Sequence, residues 1–408
     1  MAAPLPRLRM NLDFMPSPAP DRPGLLIRDP LQYSDATLIV PPPLVACLEF
    51  YDGMQSDLDL REMLVRLTGD LQVSEIERHL TETLSRAGFL EDENYVRLRE
   101  QREREFAAGP RREPSHAGGA YPASAPELRA VLDRYMSDGA SGGPRPAGDL
   151  IGLAAPHISL EGGWETYQAA YRTLGEDCRE RVCVILGTSH HGEPDRFGLT
   201  RKPYATPCGD TRTDTAIVER LEREGGDAVQ VEDYCHAIEH SIEFQVLFLQ
   251  HVLGSQVRIV PILCGSFAQG LLSDREPEAH ERVKRFLGAL GELNAREGRR
   301  LLWVLGIDMA HMGRRYGDPF EATAGQGPMA EVAVRDAARI ERVEAGDAQG
   351  FWNLVREGQD DLKWCGTTPL YTFLRAVPEA RGTLLRYQQW NIDAQSVVSF
   401  GALEFRPA

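Results

Sequence analysis

The 408-residue sequence lacks long apolar runs and is poor in positive charge. No stretch approaches the roughly 20 consecutive apolar residues that a membrane-spanning helix needs. Lysine is scarce, and 61 acidic residues against 45 basic ones give a formal net charge of −16. Because like charges repel, this balance disfavours a nucleic acid or an anionic membrane as the main partner, and we expect neither.

The sequence also lacks a CxxC pair and any regular cysteine framework. Its seven cysteines are odd in number and scattered along the chain. The N-terminus has no apolar core of the kind that marks a secretory signal. These features predict reduced thiols in a cytoplasmic protein and argue against a disulfide scaffold or a structural zinc ribbon.

The composition is that of a globular protein, with 42% hydrophobic and 26% charged residues. A chain of this length suits two domains. We predict a disordered or extended tail over 1–24, a small winged-helix-like module with a helical tether over 25–110, and a larger domain over 113–408. In the module, apolar residues recur at helical spacing within 60–67 and 76–84.

The larger domain alternates short apolar segments with longer helical ones. The predicted strands are 150–156, 181–187, 257–264, 300–306 and 397–405. The predicted helices are 163–174, 214–224, 238–253, 278–293 and 326–345. Short apolar strands separated by helices predict an α/β fold, with a mainly parallel sheet covered by helices on both faces.

Three of the predicted strands run directly into residues that can bind metals or transfer protons. They lead to His157, to His190-His191, and to Asp308 and His311. In open α/β sheets the pocket lies beyond the carboxyl ends of the strands, so these side chains should converge. Imidazole nitrogen suits zinc, iron, copper and nickel. Adjacent residues of an extended segment point opposite ways, so only one of the adjacent histidines should be a ligand.

Spacing suggests a further pair among these residues. Asp308 and His311 lie three positions apart and would share a face if the segment turned helically. The carboxylate would then orient the imidazole ring and raise its basicity.

The segment 236–240, HAIEH, matches the H-x-x-E-H pattern of a zinc hydrolase. In that pattern two histidines on one helical face hold zinc and the glutamate is the general base. Here the residues would be His236, Glu239 and His240. The alternative is the first turn of a helix whose polar face lies near the pocket.

Cys365 stands in Trp364-Cys365-Gly366, immediately before an apolar helical segment. A cysteine at this place gains thiolate character from the helix dipole. The alternative is a small buried residue beside a glycine turn.

In chain order, these segments resemble the motifs of the Memo family, in the form called AmmeMemoRadiSam system protein B. The resembling segments are 114–121, 155–157, 187–191, 239–243, 308–311 and 365–366. The family's fold is similar to that of class III extradiol dioxygenases, which use non-haem Fe(II). Residues 25–95 also resemble PqqD-like peptide-recognition modules, although a helical cap on the larger domain is an equal alternative.

The resemblance implies a metal ion, first of all iron, with copper or zinc as alternatives. The implied metal ligands are His157, His190 and Cys365. We expect the catalytic residues to be Asp308, His311 and His240. We expect the pocket to be lined by His116, Ser189, His191, His236 and Glu239. Since ring-cleaving dioxygenases use a carboxylate where this chain would use a thiolate, their activity is not carried over with the fold.

Three functions remain open from the sequence. The first is a metal-binding protein, a non-haem redox enzyme, that acts with a radical-SAM system. The second is a non-catalytic adaptor that binds a peptide or partner. The third is a zinc hydrolase that uses HAIEH. The expected partners are an unknown small molecule or peptide, a radical-SAM protein and an AMMECR1-like protein.

Overall fold

The structure is a computed structural model, and it describes residues 4–137 and 148–408. The chain divides into two compact units, Met1–Ala108 and Gly109–Ala408.

In the first unit, a small antiparallel sheet is followed by helices. The strands, in the order β1-β2-β3, are β1 (Asp13–Pro16), β2 (Leu25–Arg28) and β3 (Thr37–Val40). The helices are α1 (Pro42–Val45), α2 (Asp57–Thr68), α3 (Ser74–Arg86) and α4 (Glu93–Ala108). The PqqD-like likeness of this unit stays a prediction.

The predicted tail over 1–24 needs correction for the residues that the structure describes. Leu5 and Leu12 belong to the buried core of the first unit, and β1 pairs with β2. Arg9 is 2% exposed, and its Nη1 and Nη2 donate to the carboxylate of Asp29 at 3.0 and 2.9 Å. The boundary predicted at residue 25 is therefore not a boundary in the structure, because a buried ion pair and apolar contacts cross it.

Strands and helices alternate through the second unit. Its strands are β4 (Gly152–Ala155), β5 (Val182–Thr188), β6 (Phe197–Leu199), β7 (Ala205–Thr206), β8 (Gly209–Asp210), β9 (Arg212–Thr213), β10 (Val229–Val231), β11 (Arg258–Cys264), β12 (Leu301–Gly306), β13 (His311–Gly313), β14 (Ala380–Asp393) and β15 (Ser396–Pro407). Its helices are α5 (Ala125–Ser137), α6 (Leu160–Tyr171), α7 (Thr215–Gly225), α8 (Cys235–Ile238), α9 (Glu243–Leu253), α10 (Ala268–Leu272), α11 (Glu281–Glu297), α12 (Pro328–Glu344), α13 (Ala348–Glu357) and α14 (Thr367–Ala376).

One large sheet runs through this unit in the order β10-β6-β11-β5-β12-β4-β15-β13, with β14 paired to β15 and β9 to β11. The central strands β11, β5, β12 and β4 are parallel, and β15 joins β4 antiparallel. On β5, Val184 and Ile185 belong to different apolar cores, so both faces of the sheet are covered. The predicted α/β fold with a mainly parallel sheet is confirmed.

One predicted helix differs in an informative way. The helix predicted over 238–253 is divided into α8 and α9, with residues 239–242 between them. The Glu239 carboxylate accepts the backbone N–H groups of His240 and Ser241, at 2.8 and 3.1 Å, which competes with helical hydrogen bonding there. The break leaves these residues in an irregular segment.

Glycines at two strand ends allow this irregular segment to approach the sheet. Gly306, the last residue of β12, pairs with Ala155 of β4 and Gly187 of β5. A Cβ at Gly306 would lie 2.2 Å from the carbonyl oxygen of Ser241, and one at Gly187 would lie 2.6 Å from Ser241 Oγ. Since such contacts are sterically forbidden, only glycine at both strand ends lets the segment lie against the carboxyl edge.

Within the described residues, no helix is both long and apolar enough to cross a membrane.

Candidate metal centre

Three histidines from separate segments converge at the carboxyl edge of the sheet. His157, His190 and His240 each offer a ring nitrogen, and these nitrogens lie within 4.8 Å of one another. The centroid of the His157 ring lies 5.2 Å from the ring centroids of both His190 and His240. His190 and His240 are stacked, at 5.1 Å and 9°. These three residues are called the histidine triad below.

His157 is oriented by the strand end beside it. Its Nδ1 donates to the carbonyl oxygen of Gly306 at 3.0 Å, and its backbone N–H donates to Asp308 Oδ1 at 3.0 Å. The residue is 2% exposed. Burial, and then the neighbouring His190 and His240, hold the pKa of His157 well below its usual value. The ring is therefore neutral, with Nε2 left as a lone-pair donor.

Glu239 orients the other two rings of the triad. Its carboxylate lies 3.0 Å from His190 Nδ1 and 3.2 Å from His240 Nδ1, and its side chain is 2% exposed. Burial alone would raise the pKa of Glu239, but the two imidazoles outweigh it and hold that pKa well below the usual value. A carboxylate bound to the outer nitrogen of a ligating histidine is the usual support of a metal site, and it leaves both Nε2 atoms available.

Cys365 lies beside the triad. Its Sγ is 3.2 Å from His157 Nε2 and 3.5 Å from the carbonyl oxygen of Asp308. Thr188 Oγ1, at the end of β5, donates to the Cys365 carbonyl oxygen at 2.9 Å. Burial raises the pKa of the Cys365 thiol. A metal would lower it again, because a coordinating thiol is deprotonated.

The glycine after this cysteine is required by a close contact. A Cβ at Gly366 would lie 2.7 Å from Ile307 Cβ and 2.8 Å from the carbonyl oxygen of Asp308. The Cys-Gly pair therefore lets the start of α14 lie against the end of β12.

This donor set fits a transition-metal ion. Each imidazole of the triad has Nδ1 occupied by a carbonyl or carboxylate oxygen, and a sulfur atom lies next to one free Nε2. Three imidazoles can hold zinc, copper or iron and leave a coordination position open. Among the described residues, the metal-compatible group includes His240, which the sequence had placed in catalysis.

Comparison with known proteins identifies the family of this chain. The family model for Memo-like protein matches residues 112–404. The chain belongs to the Memo-like family. Similar curated proteins include a MEMO1 family protein of Aquifex aeolicus, 26% identical over 385 residues, which covers 93% of this chain and 95% of that protein. A MEMO1 family protein of Thermococcus kodakarensis is 30% identical and covers 72% of this chain and 99% of that protein.

Two further comparisons are more distant. The memo-1 homolog of Caenorhabditis elegans is 28% identical over 66% of this chain and 72% of its own. The solved structure of an uncharacterized Escherichia coli K12 protein aligns with 62% of this chain and 99% of its own, at 12% identity and a TM-score of 0.38.

The predicted pairing of Asp308 with His311 is not formed in this Memo-like chain. His311 begins β13, pairs with Val398, and donates from Nδ1 to the carbonyl oxygens of Met309 and Lys363 at 2.9 and 3.1 Å. The helical turn that the spacing needed is replaced by extended backbone. Asp308 Oδ2 lies 3.7 Å from His157 Nε2 instead.

Asp308 nevertheless remains next to the site. It is 3% exposed, and burial raises its pKa to about 7. Burial lowers the pKa of His311 to about 4. Asp308 can therefore carry a proton near neutral pH while the His311 ring is neutral.

The structure contradicts the interpretation of HAIEH as a zinc-hydrolase motif. α8 ends at Ile238, before Glu239 and His240, so the two histidines do not share a helical face. His236 is fully buried, accepts from the Tyr204 hydroxyl at Nδ1 (2.7 Å), and donates from Nε2 to the Gly198 carbonyl oxygen (3.0 Å). With both nitrogens occupied, His236 cannot serve as a ligand, and it does not line the pocket.

The remaining predicted residues lie around the triad. The backbone N–H of Ser189 donates to the Cys264 carbonyl oxygen at 3.0 Å, and its side chain is buried. His191 lies in a bend beyond the end of β5, is exposed, and is not part of the triad. The His116 ring lies 5.6 Å from that of His240, at the edge of the site.

Sequence reasoning missed the residue that ties these segments together. Arg112 is fully buried, with Nη1 2.5 Å from Glu243 Oε2. It donates from Nε to the carbonyl oxygen of His236 (2.8 Å) and from Nη2 to that of Glu239 (2.9 Å). The sequence feature that could have indicated this role is the position of Arg112 just before the first family motif, together with Glu243 four residues after Glu239.

Proposed function

We propose that the second unit binds a transition-metal ion through Nε2 of His157, His190 and His240, with Cys365 as an additional sulfur ligand. Iron is the first candidate, and copper and zinc are the alternatives. The supporting observation is the convergence of three imidazoles whose Nδ1 atoms are all occupied, which leaves three Nε2 atoms for one ion.

We further propose that the protein is a metal-dependent oxidoreductase. The metal would supply Lewis acidity and electron transfer. Asp308 would hold or deliver a proton at Oδ2, because its buried carboxyl has a pKa of about 7. His311 would accept a proton at Nε2, since its Nδ1–H group donates to backbone carbonyl oxygens.

Metal analysis with single variants tests the ligand set. The full chain, purified anaerobically without an affinity tag, should contain about one metal ion per chain. The variants His157→Ala, His190→Ala and His240→Ala should each lose most of it. His191→Ala is the matched control, because this histidine neighbours His190 outside the triad. Full metal content in all three triad variants would refute the site.

The role of the sulfur atom needs a separate variant. A thiolate bound to iron or copper gives intense charge-transfer absorption, which Cys365→Ser should abolish while much of the metal remains. Loss of metal together with its absorption would still identify a ligand. An unchanged spectrum in Cys365→Ser would exclude sulfur coordination and leave the three imidazoles as the site.

We also propose that the first unit serves a partner, namely a radical-SAM protein with an AMMECR1-like protein. The match to the Aquifex relative covers 385 residues and is longer than Gly109–Ala408, so it extends into the first unit. A unit with a core of its own suits a role outside the metal pocket. Anaerobic capture of the two partners by the full chain tests this, and absence of capture would contradict it. Capture that is equal in His157→Ala and native protein would favour the adaptor function over the enzyme.

A further inference from the structure

A fourth imidazole, outside the triad, is held in the same manner by a second buried carboxylate. His116 Nδ1 lies 2.8 Å from Glu243 Oε2, and the His116 backbone N–H donates to Glu243 Oε1 at 3.2 Å. The Glu243 side chain is fully buried, whereas that of His116 is 25% exposed. Glu243 thus supports His116 as Glu239 supports His190 and His240.

The charge state of Glu243 decides which tautomer His116 adopts. Arg112 Nη1 lies 2.5 Å from Glu243 Oε2, and the Tyr121 hydroxyl donates to Oε1. Burial alone would raise the pKa of Glu243, but Arg112 and then the contacts with His116 and Tyr121 lower it to about 2. Because a carboxylate only accepts, His116 presents Nδ1–H to it, and in this tautomer Nε2 is the acceptor nitrogen.

The position of this ring connects it to the triad. The His116 ring centroid lies 5.6 Å from that of His240 and 5.8 Å from that of Phe244. Within the described residues, the metal-compatible group comprises the triad without His116. His116 is therefore next to the metal position and outside the coordinating set.

We propose that His116 is a substrate-binding residue whose Nε2 accepts a hydrogen bond from a ligand held at the metal. The proposal rests on the proposed metal site. The matching ligand is a small molecule with two groups, a lone-pair donor that binds the metal and an O–H or N–H group that reaches His116. A ligand without the second group cannot form this hydrogen bond and binds less tightly.

A pair of small probes measures this preference. Imidazole coordinates a metal through one nitrogen and presents an N–H group on the other, whereas 1-methylimidazole coordinates in the same way and has no N–H. The full chain is loaded anaerobically with Co(II), and each probe is titrated while the visible cobalt absorption is followed. The native protein should bind imidazole about three- to tenfold more tightly than 1-methylimidazole.

His116→Phe is the decisive variant, because phenylalanine keeps a flat ring and removes both nitrogens. It should retain cobalt, and its preference for imidazole should fall to about onefold. Glu243→Gln is the second variant, since the glutamine amide can donate to Nδ1 and allow the tautomer with Nε2–H. Its preference should also disappear with the ring still in place. The His116→Phe comparison decides the question if Glu243→Gln does not fold.

The outcomes separate the two proposals. An equal preference in native protein and His116→Phe overturns the role of His116 and leaves the metal site intact. Failure of both probes to change the spectrum of the cobalt-loaded native protein also overturns it, because no position is then open beside His116. If native protein binds no cobalt, or if His157→Ala binds it equally well, the metal site itself is wrong and this inference fails with it.

Discussion

A buried arginine–carboxylate pair occurs in each of the two units, and the two pairs are used differently. The side chains of Arg9 and Asp29 in the first unit are at most 2% exposed, and so are those of Arg112 and Glu243 in the second. Both guanidinium groups lie against aromatic rings, Arg9 at 4.3 Å from the Tyr95 centroid and Arg112 at 4.9 Å from the Tyr204 centroid. The same physical device thus occurs twice.

The difference lies in the other partners of each carboxylate. Asp29 accepts the backbone N–H groups of Leu31 and Tyr33, both at 3.1 Å, and so fixes a turn. Glu243 accepts from His116, whose ring reaches the edge of the metal site. A buried charge pair is therefore no sign of function by itself. Its role depends on which other groups donate hydrogen bonds to its carboxylate.

The largest effects should come from breaking either pair. Arg9→Met and Arg112→Met each leave a buried carboxylate without its cation, which costs about 3–5 kcal/mol of unfolding free energy. Hydrogen-exchange protection, measured on peptides from each unit, should fall in the unit that carries the change. Only Arg112→Met should also reduce metal content, because Arg112 holds the carbonyl oxygen of Glu239. Equal metal loss in both variants would refute the proposed difference between the two ion pairs.

Acid should destabilise the second unit through His236, whose backbone carbonyl oxygen accepts a hydrogen bond from Arg112. Burial lowers the pKa of His236 from 6.5 to about 4. Between these values the His236 side chain binds a proton in the unfolded chain but not in the folded one. The contribution of His236 to the free energy of unfolding is therefore fully present above pH 6.5 and is lost as the pH falls to 4. The loss should be about 3 kcal/mol, and denaturant titrations of metal-free protein should measure it.

His236→Gln is the control for this pH dependence, because glutamine can replace both hydrogen bonds without titrating. Its unfolding free energy should be flatter than that of native protein over the same interval. An equally steep slope in native protein and His236→Gln would exclude His236 as the source.

One buried carboxylate from each unit can be compared directly through metal affinity. Glu239→Gln weakens the support of two proposed ligands, and we expect metal affinity to fall about 10- to 100-fold. Asp29→Asn alters the buried carboxylate of the first unit and should leave metal affinity unchanged. Competition with a chelator of known affinity measures both. Unchanged affinity in Glu239→Gln would show that its hydrogen bonds do not support the ligands.

The smallest effects should come from one helix cap in each unit. The Ser56 side chain accepts the Asp59 N–H at the start of α2, and the Asp214 side chain accepts the Ile217 N–H at the start of α7. Ser56→Ala and Asp214→Ala should each cost about 1 kcal/mol. Hydrogen exchange should place each loss within the unit that carries the change, without a change in metal content. A cap variant that lowered metal content would show that stability alone alters the site.

Much of the fold and part of the site could be predicted from local patterns. The apolar segments at 150–156, 181–187 and 300–306 became parallel strands because continuous apolar runs suit a doubly covered sheet. Their shared direction brought His157 and His190 together, as the strand ends suggested. β14 was missed, because its residues are half exposed and polar and follow neither an apolar run nor a helical period.

The sequence by itself determined which residues could serve as donors and which strands would present them, since apolar periodicity and strand direction are local properties. Only the tertiary structure decided that His240 joins the triad, that His236 is excluded from it, and that His311 is not paired with Asp308. These outcomes depend on where the carboxylate of Glu239 and the guanidinium of Arg112 bind. Such contacts between distant segments are set by the geometry of the packed chain and leave no periodic trace in its sequence.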